Sequence, residues 1–371
     1  MFETWNSDIM GIGILVIGFC VGSFLNVAIH RLPRGLSVND PKRSFCPSCK
    51  ASLPWWQNLP IFTWLVQGGK CRSCKAPIAV RYLIVEVITG LLFYAAWRQL
   101  PMVSAILAII LITILVTVSF IDAEHQVIPI SWTSAGVVMA LVGGFFRPEL
   151  VDLLGKVRME SGWLGFREAV IGWVAGFGSL LFVVLLGKLI LGRKKLAFED
   201  AVLWNLQEGH EENEQLHWII EGEAYSWDDL FYRDTDELVI QGHGFKVDGQ
   251  RAPGKEILIR RDDFSIGEKR WKIETLKSLD GKATEVSIPR EAMGMGDPHL
   301  LGMMGAFLGW PSVIFVIFVS SIYAIIAAIV ARVGFGKALP FGPFLALAAL
   351  TWVFGGWKLW EAYFEFVTGS L

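Results

Sequence analysis

Long apolar runs constrain this chain more than any other feature of its sequence. They lie near 9–29, 82–98, 102–121, 128–146, 168–191, 298–332 and 341–360. Crossing a bilayer as a helix takes about 20 predominantly apolar residues. The run 298–332 is interrupted at Gly309-Trp310-Pro311, so it reads as two pieces and gives about eight transmembrane helices. Its first piece, 298–309, is short for a span at about 1.5 Å of rise per residue, so seven spans is the alternative. The expected fold class is an all-α polytopic membrane protein. Sixteen Trp and 25 Phe among 371 residues suit a chain with many water–lipid boundaries. The first run follows acidic Glu3 and Asp8 and has no small-residue cleavage site before Arg31, so it reads as a retained span.

Loop charges set the orientation. Residues 30–81 hold nine basic side chains, from Arg31 and Arg34 through Lys42, Arg43 and Lys50 to Arg81. The excess of Lys and Arg in cytoplasmic loops places this one in the cytoplasm and the N-terminus outside. Alternation then puts 122–127 and 192–296 inside, and 147–167 outside. Arg193-Lys194-Lys195, and later Arg332 and Lys337, agree with that sense. The expected divisions are 1–29 (first span), 30–81 (cysteine module), 82–191 (spans two to five), 192–293 (insert) and 294–371 (remaining spans).

The segment 192–293 is polar and carries 22 of the chain's 35 acidic residues. Its first half reads as amphipathic helix. Its second half alternates as strands do, in Glu237-Leu238-Val239-Ile240, Glu256-Ile257-Leu258-Ile259 and Trp271-Lys272-Ile273-Glu274. A small cytoplasmic α+β insert is expected. No internal repeat is visible.

Four of five cysteines form two Cys-x-x-Cys pairs, Cys46 with Cys49 and Cys71 with Cys74, separated by 21 residues. That is the spacing of a four-cysteine zinc ribbon, in which two knuckles give four thiolates to a tetrahedral ion. A module of about 50 residues has little core, so a metal staple makes physical sense. Such an ion is structural, because four thiolates leave no open position. Two disulfides are the alternative, which a reducing cytoplasm disfavours. Cys20, alone in an apolar run, reads as packing.

Gly294-Met295-Gly296-Asp297 stands where the insert re-enters the membrane, and Asp122 ends the third span in Asp122-Ala123-Glu124-His125-Gln126-Val127-Ile128-Pro129. An ionisable residue at that depth is costly and is usually functional. Both aspartates fall at the same membrane edge. Two close carboxylates cannot both ionise cheaply, so they share a proton, and one can act as base while the other acts as acid. Asp122 and Asp297 are therefore the candidate catalytic pair. Glu86 reads as a buried structural carboxylate, Glu124 and His125 as interfacial residues, Arg31 and Arg34 as membrane-edge anchors, and Met303-Met304 as helix packing.

Taken together, these residues resemble the bacterial type IV prepilin peptidases, proteases of the GxGD type. The resemblance rests on Gly22-Ser23-Phe24-Leu25-Asn26-Val27 followed by Arg31-Leu32-Pro33-Arg34-Gly35, and on the double Cys-x-x-Cys module enclosing Trp56-Gln57-Asn58-Leu59-Pro60. It continues through Arg81-Tyr82 and Glu86, Asp122 to Pro129, Gly294 to Asp297, and Phe341-Gly342-Pro343-Phe344. It covers nearly everything except about 196–288. Pro298 and His299 depart from it, where the family commonly has an apolar residue and lysine. The resemblance implies an inner-membrane endopeptidase that removes the basic leader of prepilins or pseudopilins after a glycine, with Asp122 and Asp297 at the cytoplasmic face. It further implies N-methylation of the new N-terminus with S-adenosylmethionine. Substrates with a basic leader and an apolar helix, together with membrane lipid, are the expected partners; nucleic acid is not. The competing reading is a non-catalytic zinc-ribbon assembly factor of a pilus or type II secretion system. A presenilin or archaeal preflagellin type of protease is a further alternative, disfavoured by the cysteine module.

Overall fold

The computed structural model describes residues 8–39, 45–46, 48–54, 59–146, 161–191, 194–207, 216–231, 236–288, 294–332 and 339–368. Trp56-Gln57-Asn58, Lys42, Arg43, Arg193, Lys337 and most of the loop 147–167 lie outside them. The chain divides into two compact units, Met1–Phe182 with Gly294–Leu371, and Val183–Met293.

The first unit is helical, and every apolar run of the sequence is built of helix, the last two runs each in two pieces. These are α1 (Asp8–Arg31), α3 (Val80–Gln99), α4 (Met102–His125), α5 (Ile130–Phe146), α6 (Gly162–Leu191), α8 (Gly296–Leu308), α9 (Trp310–Val330) and α10 (Gly342–Thr351). Between them lie the short α2 (Phe62–Val66) and, in the insert, α7 (Trp227–Leu230), with α11 (Trp357–Thr368) closing the chain. Among the described residues five helices are long and apolar enough to cross a membrane, α1, α3, α4, α6 and α9, and α5 is a shorter apolar helix. The protein is thus a polytopic helical membrane protein. The last apolar run is not one helix: it breaks between α10 and α11, where Gly355 takes φ 119°. Large side chains such as Phe182, Phe318, Ile325 and Ile329 point outward, as they do where the surrounding solvent is lipid rather than water.

The break foreseen at 309–311 separates α8 from α9. Gly309 sits at φ 78° and Pro311 occupies the first turn of α9, where its missing N–H costs nothing. Short α8 is the centre of the bundle. From Asp297 to Leu308 every residue except His299 is buried. Its backbone meets α6 directly: a Cβ on Gly172 would come within 2.0 Å of the Gly305 carbonyl oxygen. Small residues let helices approach closely where apolar burial gives no drive between them. Met303 and Met304 are packing residues as expected, both fully buried. Pro298 is accommodated in the first turn of α8, and the His299 ring lies edge-on to Phe177 at 5.0 Å.

Helices α1 and α3 meet through the same device. A Cβ on Gly22 would lie 2.7 Å from the Glu86 Cα, so glycine brings the start of the Gly22–Val27 motif against Glu86.

Among the described residues the second unit holds a single antiparallel sheet of nine strands. They are β1 (Lys194–Gln207), β2 (His217–Ile220), β3 (Glu223–Ser226), β4 (Leu238–Val247), β5 (Gln250–Arg251), β6 (Glu256–Ile259), β7 (Asp263–Ile266), β8 (Lys269–Lys272) and β9 (Leu279–Ile288). The order is β3-β2-β1-β9-β4-β6-β7-β8, with β5 paired to β4. The alternation read in 237–240 and 256–259 is real: Leu238, Ile240, Ile257 and Ile259 are fully buried beside Trp218, Phe231, Phe245 and Phe264. Among the described residues the first half holds no amphipathic helix where one was expected: it is β1 to β3, the one-turn α7 and the start of β4. Phe198, Val202 and Leu206 all pack on the core at a helix-like interval of four. That interval is two strand periods: with Leu196 and Trp204 they form one inward face. The register between β1 and β9 shifts between Ala197 and Val202. The strand expected at 271–274 ends at Lys272 and gives way to a 3-10 turn, Ile273–Thr275.

Candidate functional site

Asp122 occupies the last turn of α4. That helix ends when Gln126 enters the left-handed region at φ 52° and its N–H caps the Asp122 carbonyl at 2.8 Å. The side chain, 5% exposed, turns inward, and its Oδ2 accepts the Gly342 N–H at 2.9 Å. Gly342 opens α10, so this donor is one of the helix N-terminal N–H groups that have no partner within their own helix. A Cβ on Gly342 would fall 2.7 Å from that oxygen, so only glycine permits the contact without displacement.

Asp297 lies in the first turn of α8 and is 7% exposed. The second glycine of the Gly-x-Gly-Asp sequence has a steric meaning. A Cβ on Gly296 would press to 2.6 Å from the Ile128 Cβ, so the bare backbone lets the segment after α4 close against the start of α8. Gly294 lies beside the carboxylate, a Cβ there falling 3.8 Å from Asp297 Oδ2. The two aspartates, from helices remote in sequence, become electrostatic neighbours. Glu124 pairs with Arg81 instead, tying α4 to α3.

The four cysteines converge. Their sulfurs all lie within 4.8 Å of one another, with Cys46 and Cys74 at 3.8 Å. None is joined in a disulfide. A tetrahedral ion with metal–sulfur bonds of about 2.3 Å has sulfurs on the order of 3.8 Å apart, so the cluster fits a metal ion. The two knuckles are the same turn used twice, on the repeated sequence Cys-x-Ser-Cys-Lys-Ala at 46–51 and 71–76. Cys46 N–H donates to the Ala51 carbonyl and Lys50 N–H to the Cys46 carbonyl; Cys71 with Ala76, and Lys75 with Cys71, repeat both bonds. Lys50 and Lys75 both take positive φ, 54° and 62°. In each knuckle backbone N–H groups point at the first sulfur. Those of Cys74 and Ser73 pull the Cys71 thiol down to about 6, and those of Cys49 and Ser48 lower Cys46 against the effect of burial. Backbone donors favour the thiolate, the form that binds metal.

Arg31 is buried, and its guanidinium donates to the Ser37 and Val38 carbonyls at 3.1 Å each, closing the turn after α1. Arg34 donates back to the His30 carbonyl. Glu86, 7% exposed, accepts the Ile61 N–H at 2.6 Å. Two features here escape a reading of the sequence. One is the pairing of Asp122 with Gly342, for which the only signal is a glycine ahead of Pro343 at a helix start. The other is a cavity beneath the cysteine knuckles.

Fold and site together define a multi-pass membrane protein with two buried carboxylates and a four-thiol cluster that could hold a metal ion. A family profile described as the bacterial peptidase A24 N-terminal domain matches residues 16–100, and one described as the type IV leader peptidase family matches 283–329. The chain belongs to the type IV leader peptidase family. It is similar to prepilin leader peptidase/N-methyltransferases of Neisseria gonorrhoeae (32% identity, 50% of this chain and 68% of the relative) and Klebsiella pneumoniae (31%, 50% and 78%). The corresponding protein of Myxococcus xanthus is 36% identical over 51% of this chain, which spans 52% of that relative's length. These matches are narrower than the resemblance drawn from motifs. Asp297 lies inside the second matched segment and Asp122 inside neither. No solved structure matches.

Proposed function

We propose that this chain is a membrane aspartic endopeptidase that cleaves the basic leader of prepilins or pseudopilins after glycine, with Asp122 and Asp297 as its catalytic pair. The observation that carries this reading is a pair of buried carboxylates on separate helices, Asp122 bonded to the Gly342 N–H and Asp297 following Gly296, whose bare backbone lets Ile128 approach. Of two such carboxylates at neutral pH, one is ionised and one protonated. The ionised group takes a proton from water as that water attacks the scissile carbonyl carbon. The protonated group donates to the carbonyl oxygen, and proton return to the leaving nitrogen completes the cleavage. Gly342 N–H holds the Asp122 carboxylate in a fixed direction, which is the positioning such chemistry needs.

The ion held by Cys46, Cys49, Cys71 and Cys74 is zinc in a structural role, since four thiolates fill its coordination sphere. The basic residues around these cysteines put them, and the acid pair, at the cytoplasmic face of the inner membrane. The relatives' activity as N-methyltransferases, by their name, extends the reading to N-methylation of the freed N-terminus. S-adenosylmethionine, when bound, supplies an electrophilic methyl group to the amine. The assembly-factor alternative leaves the buried pair of carboxylates without a purpose. The test is incubation of the protein in membranes with a prepilin-like substrate, read by mass spectrometry. Cleavage after the leader glycine, with the mass gain of one methyl group when the donor is added, supports the reading. An unchanged substrate overturns it.

A further inference from the structure

The last helix, α11, is built unlike the spanning helices. Between Trp310 and Val330, α9 carries no charged side chain. In its 12 residues α11 carries Lys358, Glu361 and Glu365, and these are segregated. At about 3.6 residues per turn, they fall with Thr368 on one side, and Leu359, Tyr363, Phe366 and Val367 fall on the other. Leu359, Phe366 and Val367 are 69%, 76% and 60% exposed, so nothing among the described residues covers their face.

This helix does not prolong α10. Gly355 lies at φ 119°, ψ 1°, a conformation that glycine alone adopts readily, and Phe354 beside it is also non-helical. Trp352 and Trp360 would be separated by about 12 Å of rise in a straight helix, yet their ring centroids lie 6.4 Å apart. Phe315 of α9 meets both rings, at 5.1 and 6.4 Å. The chain therefore bends at the glycine, and three aromatic rings pin the start of α11. Two routes give the depth of that cluster. Gly342 N–H bonds to Asp122 at one membrane edge, and from there Gly342 to Gly356 rises about 22 Å through a hydrocarbon core of about 30 Å. From the opposite edge α9 begins at Trp310, and Phe315 lies about 8 Å along it. Both routes put the cluster about 8 Å inside the surface opposite the acid pair. An interfacial amphipathic helix buries its apolar face about 5–10 Å deep, and Trp and Tyr collect at the same level.

We propose that α11 is not part of a span but lies in the plane of the membrane, on the surface opposite the acid pair, with phospholipid as its partner. Leu359, Phe366 and Val367 enter the acyl boundary, and Lys358, Glu361 and Glu365 face the headgroups and water. The lipid contact is continuous with that of α9, whose Phe318 and Ile322 are exposed apolar side chains of the same bundle. Run along the membrane normal instead, α11 would carry Phe366 and Val367 past the hydrocarbon into water. One cation against two carboxylates gives no attraction to anionic headgroups, so the lipid it fits is zwitterionic. So placed, α11 braces the far end of α10, the helix whose first N–H holds Asp122. The placement follows from the membrane-spanning fold and holds whether or not the chain is a protease.

The experiment attaches a nitroxide, through a keto amino acid that spares the cysteines, at Leu359, Glu365 or Phe366 of the full-length protein in nanodiscs of zwitterionic lipid. These side chains are exposed, so the label disturbs no packing. Power saturation with oxygen, which enters lipid, and with a nickel chelate, which stays in water, gives the depth of each label, with Ile322 as the reference for the bilayer interior. Labels at Leu359 and Phe366 are expected to collide with oxygen and to lie at one depth, while the label at Glu365 is reached by nickel. A helix along the membrane normal would separate Leu359 from Phe366 by about 10 Å of rise, and that result overturns the proposal. Nickel access at all three positions, which means water, overturns it too. So does low access to both reagents at Leu359 and Phe366, which means a protein cover; spin–spin broadening that vanishes on dilution with unlabelled protein then identifies a second copy as the occupant. Lipid contact that arises only when anionic lipid is added overturns the choice of partner.

Discussion

Gly342→Ala is the sharpest single test of how the acid pair is positioned, because it adds one methyl group and no charge. The new Cβ would stand 2.7 Å from Asp122 Oδ2 and 3.2 Å from its Cγ. Carbon–oxygen contacts settle at about 3.3–3.6 Å, so the carboxylate or the start of α10 must retreat by roughly 0.6–0.9 Å. The hydrogen bond from Gly342 N–H, now 2.9 Å, lengthens or is lost. A displacement of about 1 Å at a reacting group costs on the order of 10²-fold in rate. We therefore expect kcat/KM for leader cleavage to fall about 10²-fold, with zinc content, membrane insertion and thermal unfolding close to wild type. The assay is cleavage of a prepilin-like substrate by purified protein in lipid nanodiscs, with protein amounts matched. A folded Gly342→Ala protein that cleaves within a few-fold of wild type would refute the argument that this contact positions Asp122.

Two further predictions concern the parts of the fold. Single Cys→Ser changes at Cys46 or Cys71 should lose the bound metal and open the knuckles, because metal affinity in such modules is folding free energy; elemental analysis with thiol titration reads this, and a variant that keeps one zinc per chain refutes it. Trp218→Ala should destabilise the nine-stranded unit by about 3–5 kcal/mol, the usual cost of emptying a large aromatic site, since Trp218 is fully buried there; hydrogen exchange across β1, β4 and β9 measures it, and unchanged protection would contradict it.

How much of this was legible beforehand follows from how local each signal is. A membrane span is written in consecutive residues, so α1, α3, α4 and α9 could be read directly. The break before Trp310 was equally plain, because Gly309 and Pro311 act on their own turn. The cysteine cluster was legible because thiolate chemistry and Cys-x-x-Cys spacing restrict the outcome to very few geometries. β1 was not, because its partner β9 begins at Leu279 and core residues four apart, Phe198, Val202 and Leu206, suit a helix as well as two strand periods. Nor was the fate of 298–309: length says that it is short for a span, but only tertiary packing makes it a buried central helix. Asp122 and Asp297 stood out as costly residues at a membrane edge. Their surroundings did not, because Gly342 lies 220 positions from Asp122. Arg31 shows the same limit, since its charge suggested an anchor while its partners are carbonyls of a turn that had still to form.

The central claim is that two carboxylates act together, and paired amide substitutions test it most directly. Asp122→Asn and Asp297→Asn preserve size and hydrogen bonding but cannot cycle a proton. Cleavage of a prepilin-like substrate is measured for each in membranes, with expression matched and with Glu124→Gln as a control, since that residue is engaged with Arg81 at the helix ends. Each Asn variant is expected to lose at least about 10²–10⁴-fold in rate, the contribution of general acid–base catalysis, while Glu124→Gln keeps most of its activity. Near-normal cleavage by either Asn variant would contradict the shared mechanism and remove that aspartate from it.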